Sequence, residues 1–220
     1  KMHVMVEQAC DGLAGVSASQ VEIQSGLQLY DGITTQEIQD ILIRSASDLI
    51  DLDHPNYQFV AARLLLFALR KQLYGRMHEN PLVKDHVAKC VEKGVYDSEL
   101  MVLYTDEEFE KLQSFIDHDR DFLFTYAGLR QVVDKYLVQD RSTGNVYETP
   151  QFMYLLISAT IFSKYPKETR LDYVKKYYDA ISKHRINIPT PIMAGVRTPI
   201  RQFASCVLVD IDDTLDSIFS

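Results

Sequence analysis

The sequence predicts a mainly α-helical protein with one small β-hairpin, and three observations carry that expectation. Apolar residues recur with the helical period through most of the 220 residues, as the buried stripe of an amphipathic helix requires. Helix punctuation accompanies the pattern: Ser or Thr three positions before Glu or Gln, prolines at first-turn positions, glycines after the last periodic residue. Strand-like residues flank one short turn, Arg141-Ser142-Thr143-Gly144, between Leu137 and Glu148, which reads as a hairpin.

Residues 1–75 read as consecutive helices with short connections. Ser17 with Gln20, and Thr34 with Glu37, have capping-box spacing. After Thr34, the apolar Ile38, Ile41, Leu42 and Leu49 and the small Ser45 and Ala46 fall on one helical face. Pro55 stands where a first-turn proline belongs. The stretch Phe59–Leu69 is apolar almost all round, so its helix should be central, and Gly75 should end it. Residues 80–117 give three more polar helical stretches, broken near Gly94 and at Thr105-Asp106. After the hairpin, Thr149 and Pro150 start a long apolar helix through Phe162, and Pro166 starts another with Leu171, Val174, Tyr178 and Ile181 on one stripe.

The most informative segment is residues 189–218. Pro189 and Pro191 each fix their own φ and disfavour helix in the residue before, so Thr190 is expected in extended, rigid chain. Phe203–Val209 reads as a short apolar strand, with Ser205 and Cys206 on opposite faces unless the strand bends.

Hydrophobic residues at 46% and charged residues at 25% are ordinary globular values. A net charge of −8 argues against a duplex nucleic-acid binder, whose footprint would be basic, but leaves free nucleotides open. Cysteines at 10, 90 and 206 make neither a zinc spacing nor a disulfide framework, so a reducing cytoplasm is expected. No apolar run approaches membrane-helix length, and no signal peptide is recognisable. The chain starts at Lys1 within a helical pattern and stops at Ser220, so a piece of something longer is expected.

The stretches YDGITTQEIQ, NYQFVAARLLLFALRKQLYG, FIDHDRDF, KYLVQDRSTGNVYETPQF and PTPIMAGVRTPIRQFASC together span the chain. They resemble the N-terminal portion of the large (alpha) subunit of class I ribonucleotide reductases, bacterial forms above all. The resemblance implies three parts: ATP-cone-like regulatory helices over 1–75, a helical domain with the hairpin over 76–200, and over 201–220 the first strand of a ten-stranded α/β barrel. By position, Lys1, Thr35 and Lys71 match residues that contact the allosteric ATP or dATP, and Gln39 stands where relatives can carry histidine. Two ammonium groups suit phosphates, and a hydroxyl at a helix N-terminus suits a base or phosphate. The glycine-containing hairpin of such modules would precede Lys1, so weak or no effector binding is expected of these 220 residues by themselves. Thr190, Ser205 and Cys206 match substrate-site residues, Cys206 being one of two redox-active thiols. Asp213 matches a contact to the ribose of the specificity effector, another nucleoside triphosphate.

The resemblance further implies a radical-generating beta subunit, an alpha homodimer, thioredoxin or glutaredoxin as reductant, and nucleoside diphosphates as substrates. It implies no metal in this subunit, no nucleic-acid partner and no membrane. The activity expected of the whole subunit is reduction of ribonucleoside diphosphates to deoxyribonucleoside diphosphates; the 220 residues alone are expected to be inactive.

Plainer roles compete for several residues. A lone cysteine in an apolar strand ordinarily packs as a small hydrophobe; the setting of Cys206 reverses that reading, while Cys10 and Cys90 read as structural. His118-Asp119-Arg120-Asp121 lacks a second histidine at helical ligand spacing and reads as an ion-pair or capping motif. Asp210, Asp212 and Asp213 lack the glycine a calcium loop needs, having Leu215 there, and read as a turn and cap with Thr214. Arg197 and Arg201 either steer a diphosphate or pin the loop by salt bridges, and the tyrosines of 173–178 suggest packing. Two other functional classes stay open: a nucleotide-sensing regulatory module without catalysis, for which the 190–213 segment would have no use, and a ligand-free helical interaction domain.

Overall fold

The structure, a computed structural model, describes residues 2–26 and 28–219. The predicted helices of the first third are all present: α1 Met2–Cys10, α2 Ala18–Gly26, α3 Thr35–Asp48 and α4 Tyr57–Tyr74. The polar stretch gives α5 Val83–Glu92, α6 Glu99–Leu103 and α7 Asp106–Phe115. A 3₁₀ turn, His118–Leu123, leads to α8 Tyr126–Gln131, which runs into a π turn over Val132–Tyr136. The hairpin follows as β1 Gln139–Asp140 and β2 Asn145–Val146, antiparallel, with Gln139 opposite Val146. Then come α9 Pro150–Phe162, α10 Lys167–Ser182, α11 Thr190–Gly195 and α12 Leu215–Phe219.

Two helices that are apolar on every side organise the core, as an all-round hydrophobic helix must. On α4, Val60, Ala61, Leu64 and Leu66 are buried, and the helix packs against α1, α3, α8 and the 3₁₀ turn. On α9, Phe152, Met153, Leu155 and Ile157 are buried, and it packs against α10, α11 and the same turn. The 3₁₀ turn thus touches both central helices. Gly75 ends α4 at φ 75°, a left-handed conformation, and its N–H returns to the Lys71 carbonyl.

A buried polar chain joins the two halves at that turn. Arg70 of α4 donates to the His118 carbonyl at 2.8 Å and to the Asp121 carboxylate at 3.1 Å. Asp121 also accepts from the Gln151 amide at 2.9 Å, Gln151 accepts from the Tyr178 hydroxyl at 2.8 Å, and that hydroxyl accepts from the Asp117 N–H at 2.9 Å. The His118–Asp121 motif is therefore an ion-pair and capping element, with Asp117 accepting from the Asp119 N–H.

The Thr34–Glu37 capping box forms with both of its hydrogen bonds. At Ser17 the expected partner is replaced: the buried Tyr57 hydroxyl accepts from the Ser17 N–H at 3.0 Å and donates to the Gln20 side chain. A phenol from α4 must itself be satisfied when buried, and it takes both groups the local box would have used.

Two local expectations are corrected near the end of the chain. Thr190 is not extended; it is the first residue of α11, and the extended residue is Pro189, at φ −60° and ψ 145°. Pro191 is tolerated because the first helical turn leaves N–H groups without partners, so a missing one costs nothing there. Residues 203–209 form no strand, and Val207, Leu208 and Val209 are exposed. A strand exists through its ladder, and this stretch pairs with no described residue.

Candidate functional site

The expected site residues fall into two groups, which the fold treats differently. The first group meets at a cavity of about 460 Å³ between α1, α3 and the end of α4. That volume lies within the usual range for small-molecule sites, roughly 300–1,000 Å³. Met2, Met5, Ile38 and Met77 form an apolar wall, and Thr35, Gln39 and Lys71 supply the polar positions. The Thr34–Glu37 box fixes the start of α3 and so places Thr35 at its first helical position. The Thr34 hydroxyl and N–H, with the Tyr30 hydroxyl, hold the Glu37 carboxyl below the usual carboxylate range, so the box keeps its ionised acceptor.

Four residues on, one turn of α3 brings Gln39 to the cavity. Its side chain is buried and its Nε2 has no hydrogen-bond partner. Lys71 sits in the last turn of α4, exposed, and forms no ion pair with another described residue. An amide, a hydroxyl and an ammonium thus surround one apolar-walled space without protein partners. Only the Gln39 amide is buried, and a buried donor is rarely left so, whereas Thr35 and Lys71 face solvent at the cavity edge; a ligand with a flat apolar body and an acceptor-rich tail would meet all three. Lys1 lies outside the described residues.

The second group is not gathered into one site. Thr190 is exposed at the start of α11, its Oγ1 3.4 Å from the Tyr136 hydroxyl. Ser205 and Cys206 are exposed at a bend, where the serine hydroxyl donates to the Cys206 sulfur at 3.8 Å; the two side chains therefore share a side. Asp213 is exposed in the turn before α12, where the Thr214 hydroxyl accepts from the Ser217 N–H at 3.2 Å, a helix cap. Cys10 is half-buried and Cys90 is buried, its thiol pushed up to about 12 by burial and then by the Glu148 carboxylate, so it is an inert structural thiol at neutral pH.

Behind Thr190 stands a group of residues whose joint role the sequence did not announce. Glu148, two residues before α9, and Arg197, two residues after α11, have fully buried side chains and pair with each other. Arg197 also donates to the Met193 carbonyl at 2.6 Å and the Tyr136 carbonyl at 3.1 Å. Glu148 accepts from the Tyr96 hydroxyl at 2.5 Å and the Val138 N–H at 2.7 Å. Burial, and next the Glu148 charge, push the Tyr96 phenol well up, so it remains a donor. Arg201 pairs with Asp97, whose N–H donates to the Arg197 carbonyl at 3.0 Å. Both arginines therefore pin the loop. The available signal was composition alone, an arginine on each side of Thr198-Pro199, and it did not separate pinning from phosphate steering.

Two stretches of the chain match known families. Residues 1–72 match the ATP cone domain family, and residues 122–201 match the ribonucleotide reductase all-alpha domain family. The chain is 55% identical over 218 residues to ribonucleoside-diphosphate reductase 1 subunit alpha of Escherichia coli K12, covering 99% of this chain and 28% of that one. It is 55% identical over 218 residues to the Haemophilus influenzae alpha subunit, covering 99% and 29%. The alpha subunit of enterobacteria phage T4 is 46% identical over 206 residues, covering 93% and 27%. The chain thus spans under a third of the length of these relatives. With an ATP cone followed by the all-alpha domain, it belongs to the ribonucleotide reductase alpha-subunit family and corresponds to the N-terminal part of such a subunit.

Proposed function

We propose that this chain is the N-terminal part of a ribonucleoside-diphosphate reductase alpha subunit, a regulatory module leading into the catalytic barrel, in which the cavity between α1, α3 and α4 binds ATP or dATP. The observation that carries the effector reading is the meeting of Thr35, Lys71 and a buried, unpartnered Gln39 amide at one cavity inside the segment that matches the ATP cone. The methionines and Ile38 offer the base an apolar face, Lys71 offers the phosphates a charge, and Thr35 and Gln39 offer hydrogen bonds to base or sugar. Lys1 would add a second ammonium.

The proposed parts are 1–75 for the effector module, 76–200 for the helical domain and 201–220 for the start of the catalytic barrel. In the whole subunit, Thr190 and Ser205 would orient a ribonucleoside diphosphate, and Asp213 would hold the ribose of a second, specificity-setting nucleotide. A radical supplied through the beta subunit opens the reaction at the substrate's 3′-carbon. The 2′-hydroxyl then leaves as water, and Cys206 with a second thiol gives up two electrons and two hydrogens to become a disulfide. The dithiol of thioredoxin or glutaredoxin reduces that disulfide and is itself oxidised. A cytoplasmic setting suits this chemistry, since the thiols must be kept reduced, and the subunit would work as an alpha dimer. Among the described residues no helix is long and apolar enough to cross a membrane.

The test is calorimetric titration of ATP and dATP into a full-length alpha subunit whose N-terminal part is this chain. Thr35→Val should weaken binding by about fivefold, the worth of one hydrogen bond, and Lys71→Ala by about tenfold or more, the worth of one charge-assisted contact. Unchanged affinity in both variants would reject the cavity as the effector site. A regulatory sensor without catalysis is the rival reading, and it has no use for a thiol at Cys206.

A further inference from the structure

Three features converge on the residue before the hairpin. The Tyr136 carbonyl accepts from Arg197 at 3.1 Å, while the hydroxyl of the same tyrosine lies 3.4 Å from the Thr190 Oγ1. Arg197 also holds the Met193 carbonyl at 2.6 Å, so one guanidinium spans the gap between the π turn and α11. Its orientation is fixed in turn by Glu148, which Tyr96 and the Val138 N–H hold from two further directions. The Phe203 ring also lies over α11 at Gly195, within ordinary van der Waals reach of a Cβ there, at 3.5 Å. The short helix that carries Thr190 is therefore located by a buried clamp rather than by its own few hydrogen bonds.

We propose that Glu148, Arg197 and Tyr136 are positioning residues for the nucleoside diphosphate: the buried ion pair sets the distance between Tyr136 and α11, and Tyr136 sets the direction of the Thr190 hydroxyl. The proposal rests on the reading of Thr190 as a substrate contact. An arginine is required because its planar fork serves a carboxylate and two carbonyls at once; a lysine ammonium is a single point and cannot span them. A hydroxyl held in one orientation keeps its donor aimed at the ligand before binding, and misplacement of such a group lowers the productive fraction.

The experiment uses full-length alpha subunit with its beta subunit and thioredoxin, and cytidine diphosphate as the probe. The variants are Tyr136→Phe, Arg197→Lys, Thr190→Val and each of the first two combined with Thr190→Val. Tyr136→Phe should raise KM about fivefold, which is the ~1 kcal/mol of one hydrogen bond, with kcat nearly unchanged. Arg197→Lys should raise KM at least as much. On the Thr190→Val background both changes should add little, because they act through the hydroxyl already removed. A merely structural role lowers the active fraction, hence apparent kcat, and leaves KM where it was. If Thr190→Val raises KM while Tyr136→Phe and Arg197→Lys do not, or if their effects multiply independently with it, the clamp proposal is overturned and the substrate reading stands. If Thr190→Val leaves KM unchanged, the substrate reading itself fails. Should Arg197→Lys not fold, Tyr136→Phe decides alone, since that hydroxyl lies on an exposed contact.

Discussion

Lowering the pH from 7.5 to 5 should destabilise this protein through two histidines that face one ring. His86 lies stacked on Phe152 with centroids 3.9 Å apart, and its Nε2 is 3.2 Å from the Tyr96 hydroxyl. His118 meets the same Phe152 at 5.1 Å from another side. Burial lowers His86 from the ordinary 6.5 to about 4; burial, and next the Arg70 charge, do the same for His118. Unfolding frees both rings to take protons near their ordinary value. The stability that each contributes as a neutral ring is complete above about pH 6.5 and is lost as the pH falls toward 4. At pH 5 the loss is ~2 kcal/mol for each ring, set by the proton uptake of the unfolded chain. Asp121, pushed up to about 6 by burial against the pull of Arg70, works in the opposite sense: its folded form gains protons first, and it returns ~1 kcal/mol over the same interval. The net loss is then ~3 kcal/mol, a large part of a typical 5–15 kcal/mol total. Urea unfolding at pH 7.5, 6.5, 5.8 and 5 reads it directly. His86→Gln keeps a polar partner for Tyr96 but cannot titrate, so its pH-dependent loss should be smaller than wild type by ~2 kcal/mol. If the variant loses as much stability as wild type over this interval, His86 is not the neutral buried base described here.

Other substitutions test other levels of the structure. Thr105→Ala removes the capping box of α7 and should cost about 1 kcal/mol in thermal melts, whereas Ser17→Ala should cost under about 0.5 kcal/mol, because Tyr57 serves that helix start instead. Leu66→Ala opens a cavity under the fully buried middle of α4 and should cost about 2–5 kcal/mol by urea titration. Arg70→Met leaves Asp121 buried without its charge partner and should cost about 3–5 kcal/mol, while Arg70→Met with Asp121→Leu should recover much of that. Cys206→Ser in a full-length alpha subunit should abolish thioredoxin-dependent multiple turnover; near-normal turnover would remove the proposed redox role.

The helices were legible because their signals are local. Thr34 and Glu37 lie three residues apart, Gly75 follows directly on its helix, and the apolar circumference of Phe59–Leu69 needs no partner to be read. The failures mark where a distant residue decides. Ser17 lost its box to a tyrosine forty positions away, and nothing near Ser17 signals that. Thr190 was misplaced because the rule for a residue before proline describes the chain average, while Arg197 and Tyr136 hold this turn in helix. For the proposed effector site, the family resemblance alone named Thr35 and Lys71, and the structure places both on one cavity beside an unsatisfied Gln39 amide.

Glu148 and Gln151, either side of Thr149-Pro150, show why polar residues occupy the interior at the start of α9. Glu148 faces Arg197 and Gln151 faces Asp121, so this one helix start receives the clamp behind Thr190 and the ion pair that docks α4. Apolar side chains there would pack α9 at comparable or greater stability, since burying ions is costly. What apolar packing does not supply is register. A carboxylate that must meet one guanidinium, one phenol and one backbone N–H at once accepts a single placement of the hairpin, α9 and α11, whereas a leucine tolerates several. Where the hydroxyl proposed to meet the substrate stands on a six-residue helix, register of that kind is the property the proposed contact requires, and the buried charges supply it.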